Sequence, residues 1–168
     1  PTELSLTTST GTVVPTTPVT FEVFQDMDVS SGCFGDGYFM ASIVLTRRFQ
    51  ISALNDGTNQ SDPPIWNSLD SGIKESYPDY IRQLLVCGEQ LYIFGTESFE
   101  VWQNIGGADT PFQRIAGATG RFGVISPWSA IAIDGKVFFH AVNSAGQLSA
   151  FVMDGYTPRR VSTYAQEN

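Results

Sequence analysis

The chain has a single histidine, His140, which is the first residue to consider for catalysis or metal binding. It lies in the apolar run 137–142 (VFFHAV), where the two-residue period of a β-strand places it on one face with Phe138 and Val142. The sequence holds no second histidine and no cysteine near this run, so the spacing of a zinc site is missing. We expect His140 to be a half-buried structural residue, and we predict no metal site.

Two pairs of carboxylates are the next candidates, because a glycosidase needs only two acids. Glu97 and Glu100 flank a turn, whereas Asp26 and Asp28 alternate on one strand face and could share a calcium ion. The residues after Asp28 lack the alternating acids and the glycine of a calcium-binding loop. We therefore expect solvated acids at turns and strand ends, and no catalytic residue.

A glycine-rich stretch and two cysteines complete the set of candidates. Residues 117–123 (GATGRFG) precede no helix-forming sequence, and glycine-rich loops bind phosphate at a helix N-terminus. This stretch is predicted to be a flexible connection between structural units. Cys33 and Cys87 belong to no CxxC motif. Free buried thiols are the favoured interpretation, and the sequence alone leaves a disulfide open.

Composition limits the class of protein. Of the 168 residues, 42% are hydrophobic and only 15% are charged, and the 16 glycines and 9 prolines indicate a folded chain with many short elements. The chain has nine basic and 17 acidic residues and a net charge of −8. A negative charge is the wrong sign for binding the phosphates of a nucleic acid. This charge argues against a sequence-specific DNA or RNA clamp, although an acidic wall suits DNA that must slide past it. No apolar run approaches the ~20 residues of a membrane span.

The chain divides into an arm and a longer β-rich part. Residues 1–19 are rich in Thr and Pro and are predicted to be an extended arm or linker, in which residues 12–14 could pair with a free strand edge. The chain begins with Pro1 and shows no signal peptide, which favours a piece of a longer protein. From residue 20 onward, short β-branched and aromatic runs alternate with turn signals.

The β-rich part repeats with a period of 40 to 50 residues. Residues 81–115 are predicted to form four short strands joined by tight turns, and residues 129–162 follow the same outline. The first unit has predicted strands at 21–25, 38–45 and 47–54, followed by a polar connection over 60–79. The sequence thus predicts an all-β fold of antiparallel four-stranded meanders, with units at about 20–66, 80–118 and 125–163.

This period is typical of β-propeller blades, so residues 20–168 are interpreted as a partial β-propeller of about three blades. Three blades do not close a ring of four to eight, which predicts a fragment of a larger propeller. A β-sandwich of about ten strands is the competing architecture.

Three sequence segments carry a resemblance to a known family. Residues 91–102 (LYIFGTESFEVW), 111–115 (PFQRI) and 154–163 (DGYTPRRVST), in this order, resemble the packaged-DNA stabilisation proteins, or tail hub proteins, of short-tailed bacteriophages. Residues 51–57 (ISALNDG) look like the matching element of the preceding unit. The resemblance covers residues 35–163. It departs from the family after the Asn-Asp-Gly turn, where the family usually has a Trp at once and this chain delays it to Trp66.

The resemblance implies a structural protein of the virion, not an enzyme, and it implies no cofactor. Family members form a six-fold homo-oligomeric ring below the portal and its adaptor proteins. The ring closes the DNA exit channel, retains the packaged DNA and seats the tail plug or receptor-binding proteins. Double-stranded DNA would pass nearby without sequence-specific binding, and no membrane is implied in the virion. The expected location is the virion tail, and the host cytoplasm during assembly.

The matched motifs imply blade framework, not a site. The framework residues are Phe94, Gly95, Trp102, Phe112, Tyr156 and Pro158. Three arginines, Arg121, Arg159 and Arg160, are expected at interfaces, where they would form ion pairs or cap carbonyl groups.

Two other functions remain open from the sequence. A carbohydrate-binding or glycan-degrading β-domain of a tailspike-like protein would use exposed Trp residues beside paired acids. A propeller adaptor would bind peptides at a blade edge.

Overall fold

The computed structural model describes residues 6–7, 13–14, 28–57, 66, 70–107, 110–142 and 148–162, and every regular element within them is a β-strand. The strands in chain order are β1 (Leu6–Thr7), β2 (Val13–Val14), β3 (Val29–Gly35), β4 (Tyr38–Ile43), β5 (Arg48–Ile51), β6 (Ser71–Ile73), β7 (Ile81–Cys87), β8 (Gln90–Gly95), β9 (Phe99–Asn104), β10 (Phe112–Gly120), β11 (Ala130–Ile133), β12 (Lys136–Val142), β13 (Leu148–Asp154) and β14 (Thr157–Arg160).

Twelve of these strands form three four-stranded antiparallel sheets, each a meander in chain order. We call them blade I (β3–β6), blade II (β7–β10) and blade III (β11–β14). The first strands lie side by side, β3 next to β7 and β7 next to β11, and the three sheets do not close into a ring. The predicted all-β fold of four-stranded meanders is confirmed. Among the described strands, β1 and β2 pair with each other, within the predicted arm.

Asp-Gly turns join the first two strands of blades I and III. Asp36 and Gly37 have φ values of 53° and 80°, and Asp134 and Gly135 have 50° and 72°. A two-residue type I′ turn needs positive φ at both positions, which Asp and Gly tolerate best. These residues therefore fix the register of β3 on β4 and of β11 on β12.

Blade II is covered on both faces. On β8, Leu91 and Ile93 pack into a core shared with blade I, whereas Tyr92 and Phe94 pack into a core shared with blade III. Alternate residues of a strand point to opposite faces, so β8 needs apolar residues at every position. Each fully buried large side chain contributes roughly 1.5–3 kcal/mol.

Blade I differs most from the prediction. Neither β3 nor β6 was predicted, because residues 29–35 (VSSGCFG) and 71–73 (SGI) are rich in Ser and Gly. Pairing with neighbours forms them despite weak β-propensity. At Gly72 a Cβ atom would lie 2.2 Å from the Phe49 ring, so glycine permits the close contact between β6 and β5. The first sheet thus continues to Ile73, and the predicted strand 21–25 lies outside the described residues.

The glycine-rich stretch 117–123 is largely part of a strand. β10 continues to Gly120, and its pairing with β9 shifts register between Arg114 and Thr119, where Gly117 has a φ of 79°. A bulge with a glycine in the left-handed region explains this shift. The prediction of a flexible connection here was wrong for residues 117–120. No helix in the described part of the chain has the length and apolar character to cross a membrane.

Candidate functional site

The most concentrated group of buried charges lies where the connection from β6 to β7 passes the β8–β9 turn. The Lys74 side chain has no exposed surface, and its ammonium group donates hydrogen bonds to Asp79 Oδ1 and Ser98 Oγ. It also donates to the carbonyl of Tyr77 at 3.4 Å. The Ser98 hydroxyl donates to Asp79 Oδ1 at 2.6 Å. The three side chains therefore form a closed hydrogen-bonded group.

The Asp79 carboxylate is held on both of its oxygens. Its Oδ2 accepts hydrogen bonds from the backbone N–H of Glu97 at 2.8 Å and of Ser98 at 3.1 Å. Burial acts to raise the pKa of Asp79, but the hydrogen bonds from Lys74, Ser98 and Glu97 and the positive charge of Lys74 outweigh it, so the pKa is lowered. A Cβ atom at Gly95 would lie 2.1 Å from Asp79 Oδ2, so this arrangement requires glycine there.

A lysine beside a serine could in principle act as a base and a nucleophile. Ser98 and Lys74 are both 0% exposed, and their polar atoms are used within the group. A nucleophile must reach its substrate, and this one is enclosed. The group is therefore a structural clasp between the 74–80 connection and the β8–β9 turn.

Glu100 anchors the same connection from β9. Its buried carboxylate accepts hydrogen bonds from the backbone N–H of Glu75 and Ser76 and from Trp102 Nε1, the last at 2.8 Å. The prediction that Glu100 is a solvated turn acid was wrong, whereas Glu97 is exposed. Trp102 lies two residues later on the same face of β9. Its presence in the sequence could have indicated that this face is buried.

A cleft of about 420 Å³ lies beside this region, between the outer strands of blades I and II. It is lined in part by Gly72, Glu75, Trp102, Phe112 and Arg114. Arg114 Nε lies 3.6 Å from a carboxylate oxygen of Glu75, and both side chains are partly exposed. Trp102 and Phe112 are 5% and 3% exposed, so the aromatic rings form the floor and offer little surface for stacking.

The described residues contain no group of three or more His, Cys, Asp or Glu side chains placed to hold a metal ion. Cys33 and Cys87 are free thiols. Burial raises the pKa of the Cys33 thiol to about 12 and also raises the pKa of Cys87. Burial therefore favours the protonated form of both thiols over the thiolate.

His140 is exposed, so the prediction of a half-buried histidine was wrong. It does lie on the strand face of Phe138 and Val142, as the two-residue period requires. No other sheet in the described part of the chain lies over that face of blade III, which agrees with the exposure of His140.

Two side chains join the first strands of neighbouring blades. Ser31 Oγ of blade I accepts a hydrogen bond from the backbone N–H of Leu84 at 3.0 Å. Gln83 of blade II donates to the carbonyl of Ala130 at 2.7 Å and accepts from its N–H at 2.9 Å. The Gln83 side-chain amide thus makes, between β7 and β11, the two hydrogen bonds that a paired strand would make with Ala130. Sequence reasoning missed Lys74, Asp79 and Gln83, because lone polar residues in apolar runs give no motif.

The structure places the predicted framework residues in both cores and at their rims. Phe94 is buried between blades II and III, and Trp102 and Phe112 are buried between blades I and II. Tyr156 is 36% exposed, and its hydroxyl accepts a hydrogen bond from Gln90 Nε2 at 2.7 Å. Pro158 pairs with Met153 on β13.

The predicted interface arginines lie apart from one another. The Arg121 guanidinium lies 5.2 Å from the centre of the Tyr77 ring, a cation–π contact between the β10–β11 and β6–β7 connections. Arg159 and Arg160 are exposed on β14, the outer strand of blade III. Their role at interfaces stays a prediction.

Comparison with known proteins agrees with this arrangement. The sequence profile of a phage stabilisation family, described as bacteriophage P22 Gp10, β-propeller, matches residues 3–168. No curated protein sequence matches the chain. Among solved structures, the β-propeller domain of Cps50 (Swd1) from Myceliophteria thermophila is similar, with a TM-score of 0.51 and 13% identity over 90% of this chain.

The chain covers 49% of the Cps50 structure, about half its length. At this level of identity the likeness concerns the fold alone, and it supports the β-propeller over the β-sandwich. The profile match spans nearly the whole chain and supports the resemblance found in the three sequence segments. The chain therefore belongs to the phage stabilisation family of bacteriophage P22 Gp10, a β-propeller family.

Proposed function

We propose that this chain is part of the tail hub of a short-tailed bacteriophage, where it closes the portal channel and retains the packaged DNA. The observation that carries the proposal is the family match over residues 3–168, because that family is one of phage structural proteins that stabilise packaged DNA. The virion tail, and the host cytoplasm during assembly, are the proposed locations.

The geometry suits a structural part better than an enzyme. Within the described residues, the buried charged groups Lys74, Asp79 and Glu100 are fully engaged in joining the 74–80 connection to blade II. Buried charges that satisfy one another fix a conformation but offer no group to a substrate. We propose that the protein has no catalytic activity.

The charge of the chain suits a channel wall. A net charge of −8 repels the DNA phosphates, so DNA close to the wall would remain mobile. We propose that the subunits form a six-fold ring, with portal and adaptor proteins above and plug or receptor-binding proteins below. The outer strands β6, β10 and β14 each pair with a single strand among those described, and the edge of a sheet can support contacts between subunits.

The glycan-binding alternative gains no support from the aromatic residues. It needs exposed Trp residues beside acids, yet Trp66 and Trp102 are 7% and 5% exposed. Trp128 is 74% exposed, but its loop, residues 125–129 (ISPWS), carries no acid. Peptide binding at a blade edge has no specific observation in its favour.

Reconstitution tests the proposal. DNA-filled capsids of the corresponding phage, assembled without this protein, would be incubated with the purified full-length protein and then treated with nuclease. We expect added protein to protect the DNA and electron microscopy to show a six-fold ring below the portal. A heat-unfolded sample serves as the control. A protein that remains monomeric, does not bind the portal end and leaves the DNA sensitive to nuclease would contradict the proposal.

A further inference from the structure

Trp128 occupies a turn position that normally requires glycine. The Ser129 N–H donates to the Ser126 carbonyl at 3.3 Å, which closes a four-residue turn over 126–129. Pro127 is the second residue of this turn and Trp128, with a φ of 72°, is the third, as in a type II turn. Glycine or asparagine is usual at the third position, because a bulky side chain is strained at positive φ. The turn therefore holds Trp128 in a conformation that its own side chain opposes.

Packing within the described chain does not explain this tryptophan. Trp128 is 74% exposed, more than any other large apolar residue in the described part of the chain. The Ser129 hydroxyl fixes the turn instead, since it accepts a hydrogen bond from the Ser126 N–H at 3.1 Å and donates to the Ser126 carbonyl. Strained residues that their surroundings hold in place are concentrated at functional sites, and Trp is enriched at the energetic centres of protein interfaces. Trp128 therefore has the properties of an interface residue.

Trp128 belongs to a surface at one end of the three blades. Backbone hydrogen bonds link the β10–β11 connection to the end of β8, the β8–β9 turn to the start of β7, and the start of β7 to the β4–β5 turn. We call this surface the entry end, because the first strand of each blade begins there. Besides Trp128 it exposes Ile125, Tyr80 and Leu45, at 41%, 50% and 71%. A group of exposed apolar residues indicates a surface that contacts another molecule.

Basic residues accompany this apolar group. Arg82, the second residue of β7, is exposed, and its neighbour Gln83 binds Ala130, two residues after Trp128. Arg82 and Trp128 are therefore close along the two connected strands. The exposed arginines of the entry end are Arg47, Arg48, Arg82 and Arg121, and its exposed acids are Asp28, Glu75 and Glu97. Four positive charges against three negative ones are too weak an excess to hold DNA phosphates, whereas Arg beside Trp and Tyr is typical of protein interfaces.

The opposite end of the blades is acidic. It carries the turns between the first and second strands, at 36–37, 88–89 and 134–135, and we call it the hairpin end. Tyr156, in the β13–β14 turn, is 36% exposed, and its hydrogen bond with Gln90 joins blades II and III there. The exposed charged residues in and beside these turns are four acids, Asp36, Glu89, Asp134 and Asp154, and one lysine, Lys136. Two hairpin ends would therefore repel each other.

We propose that the entry end of one copy of this chain binds the hairpin end of a second copy, with Trp128 and Arg82 against Glu89, Asp154 and Tyr156. The two surfaces have opposite charge excess, and each exposes an aromatic side chain. A contact between two different surfaces of one chain can repeat around a ring, whereas a contact between two identical surfaces ends at a dimer. The inference deepens the proposed six-fold ring and rests on that proposal for ring closure. The contact itself follows from the two ends.

Sedimentation velocity of the purified protein tests the contact. For the wild type we expect species larger than a monomer. Their share should rise with protein concentration and fall between about 0.02 M and about 0.5 M salt, because salt screens the charges. Trp128→Gly should weaken the dissociation constant about tenfold or more. Ile131→Ala is the matched control, since Ile131 is 55% exposed on a sheet face of blade III, and it should leave association unchanged.

The thermal midpoint separates an interface role of Trp128 from a structural one. It would be measured at high salt and low protein concentration, where the wild type is monomeric. Trp128→Gly relieves the positive φ, so the midpoint should stay the same or rise by about 2 °C. A fall in the midpoint would show that Trp128 serves folding and would overturn its assignment to the contact.

A mixing experiment tests whether the contact joins two different surfaces. Trp128→Gly disables the entry end and keeps the hairpin end, whereas Glu89→Lys/Asp154→Lys does the reverse. Each variant alone should be monomeric, because every possible contact would then include one disabled surface. An equal mixture should form one discrete dimer, in which each partner supplies the surface that the other lacks.

Three results would overturn the inference: a wild type that is monomeric at every concentration and salt, association that Trp128→Gly leaves unchanged, and a mixture without a dimer. The outcome is separable from that of the proposed function. Trp128→Gly subunits that still form a ring and retain DNA would reject this contact and keep the tail hub. Association through the two ends by a protein that does not protect DNA would keep the contact and reject the tail hub.

Discussion

Lys74 shows how single residues hold the junction of blades I and II. Its ammonium group is fully buried, and this is tolerated because Asp79, Ser98 and the Tyr77 carbonyl surround it. Desolvation makes a buried ion pair a weak source of stability, but removal of one partner leaves an uncompensated charge. The clasp therefore fixes the path of residues 74–80, with little net gain in folding free energy.

The substitution Asp79→Asn should destabilise the protein at neutral pH. It leaves Lys74 buried without a counter-charge, which costs roughly 3–5 kcal/mol when a buried pair loses one partner. Urea unfolding at pH 7 measures this loss. Asp134→Asn, in the exposed β11–β12 turn, is the matched control and should change the unfolding free energy little.

The loss from Asp79→Asn should also depend on pH. Hydrogen bonds lower the folded-state pKa of Asp79 below its ordinary value of 3.8. A carboxyl group whose pKa is lower in the folded state stabilises the folded protein. This stabilisation is fully present above the pKa of the unfolded state and is lost as the pH falls through the pKa of the folded state. The difference in unfolding free energy between wild type and Asp79→Asn should therefore be constant from pH 7 to about 5. It should become smaller below about pH 4. Parallel unfolding free energies down to pH 2.5 would contradict the assignment.

At the scale of elements, Gln83 joins β7 to β11. The substitution Gln83→Ala would leave the N–H and carbonyl of Ala130 without their partners, in a buried position. Each unsatisfied buried group costs roughly 1–3 kcal/mol, so we expect a loss of at least 1–2 kcal/mol in the unfolding free energy. Gln103→Ala, at an exposed position of β9, is the matched control and should be close to neutral.

Strands with a clear local pattern could be predicted from the sequence, whereas strands that depend on contacts with distant residues could not. The strands of blades II and III were predicted because residues such as Leu91 and Val137 follow clear turn signals. Strands β3 and β6 form through pairing with β4 and β5, and their Ser and Gly residues give no local signal. The clasp was missed for a similar reason, since Lys74 and Asp79 are far from Ser98 in sequence and meet only when the strands pack.

The described sheets differ in how much of each face is covered by a neighbouring sheet. Blade II is buried on both faces, whereas no other described sheet lies over the face of blade III that carries Phe138, His140 and Val142. Strands β8 and β12 are otherwise well matched. Each is the second strand of its sheet and is paired on both sides, β8 with β7 and β9, and β12 with β11 and β13.

Hydrogen exchange of the 168-residue chain, followed by mass spectrometry, should therefore be slower in β8 than in β12. Backbone hydrogen bonds are equivalent in the two strands, so the difference reports the apolar cover that must be lost when a sheet opens locally. The outer strand β14, whose residues are largely exposed and which pairs with β13 alone among the described strands, should exchange faster than both. Equal protection of β8 and β12 in the 168-residue chain would mean that the face of blade III is already covered there.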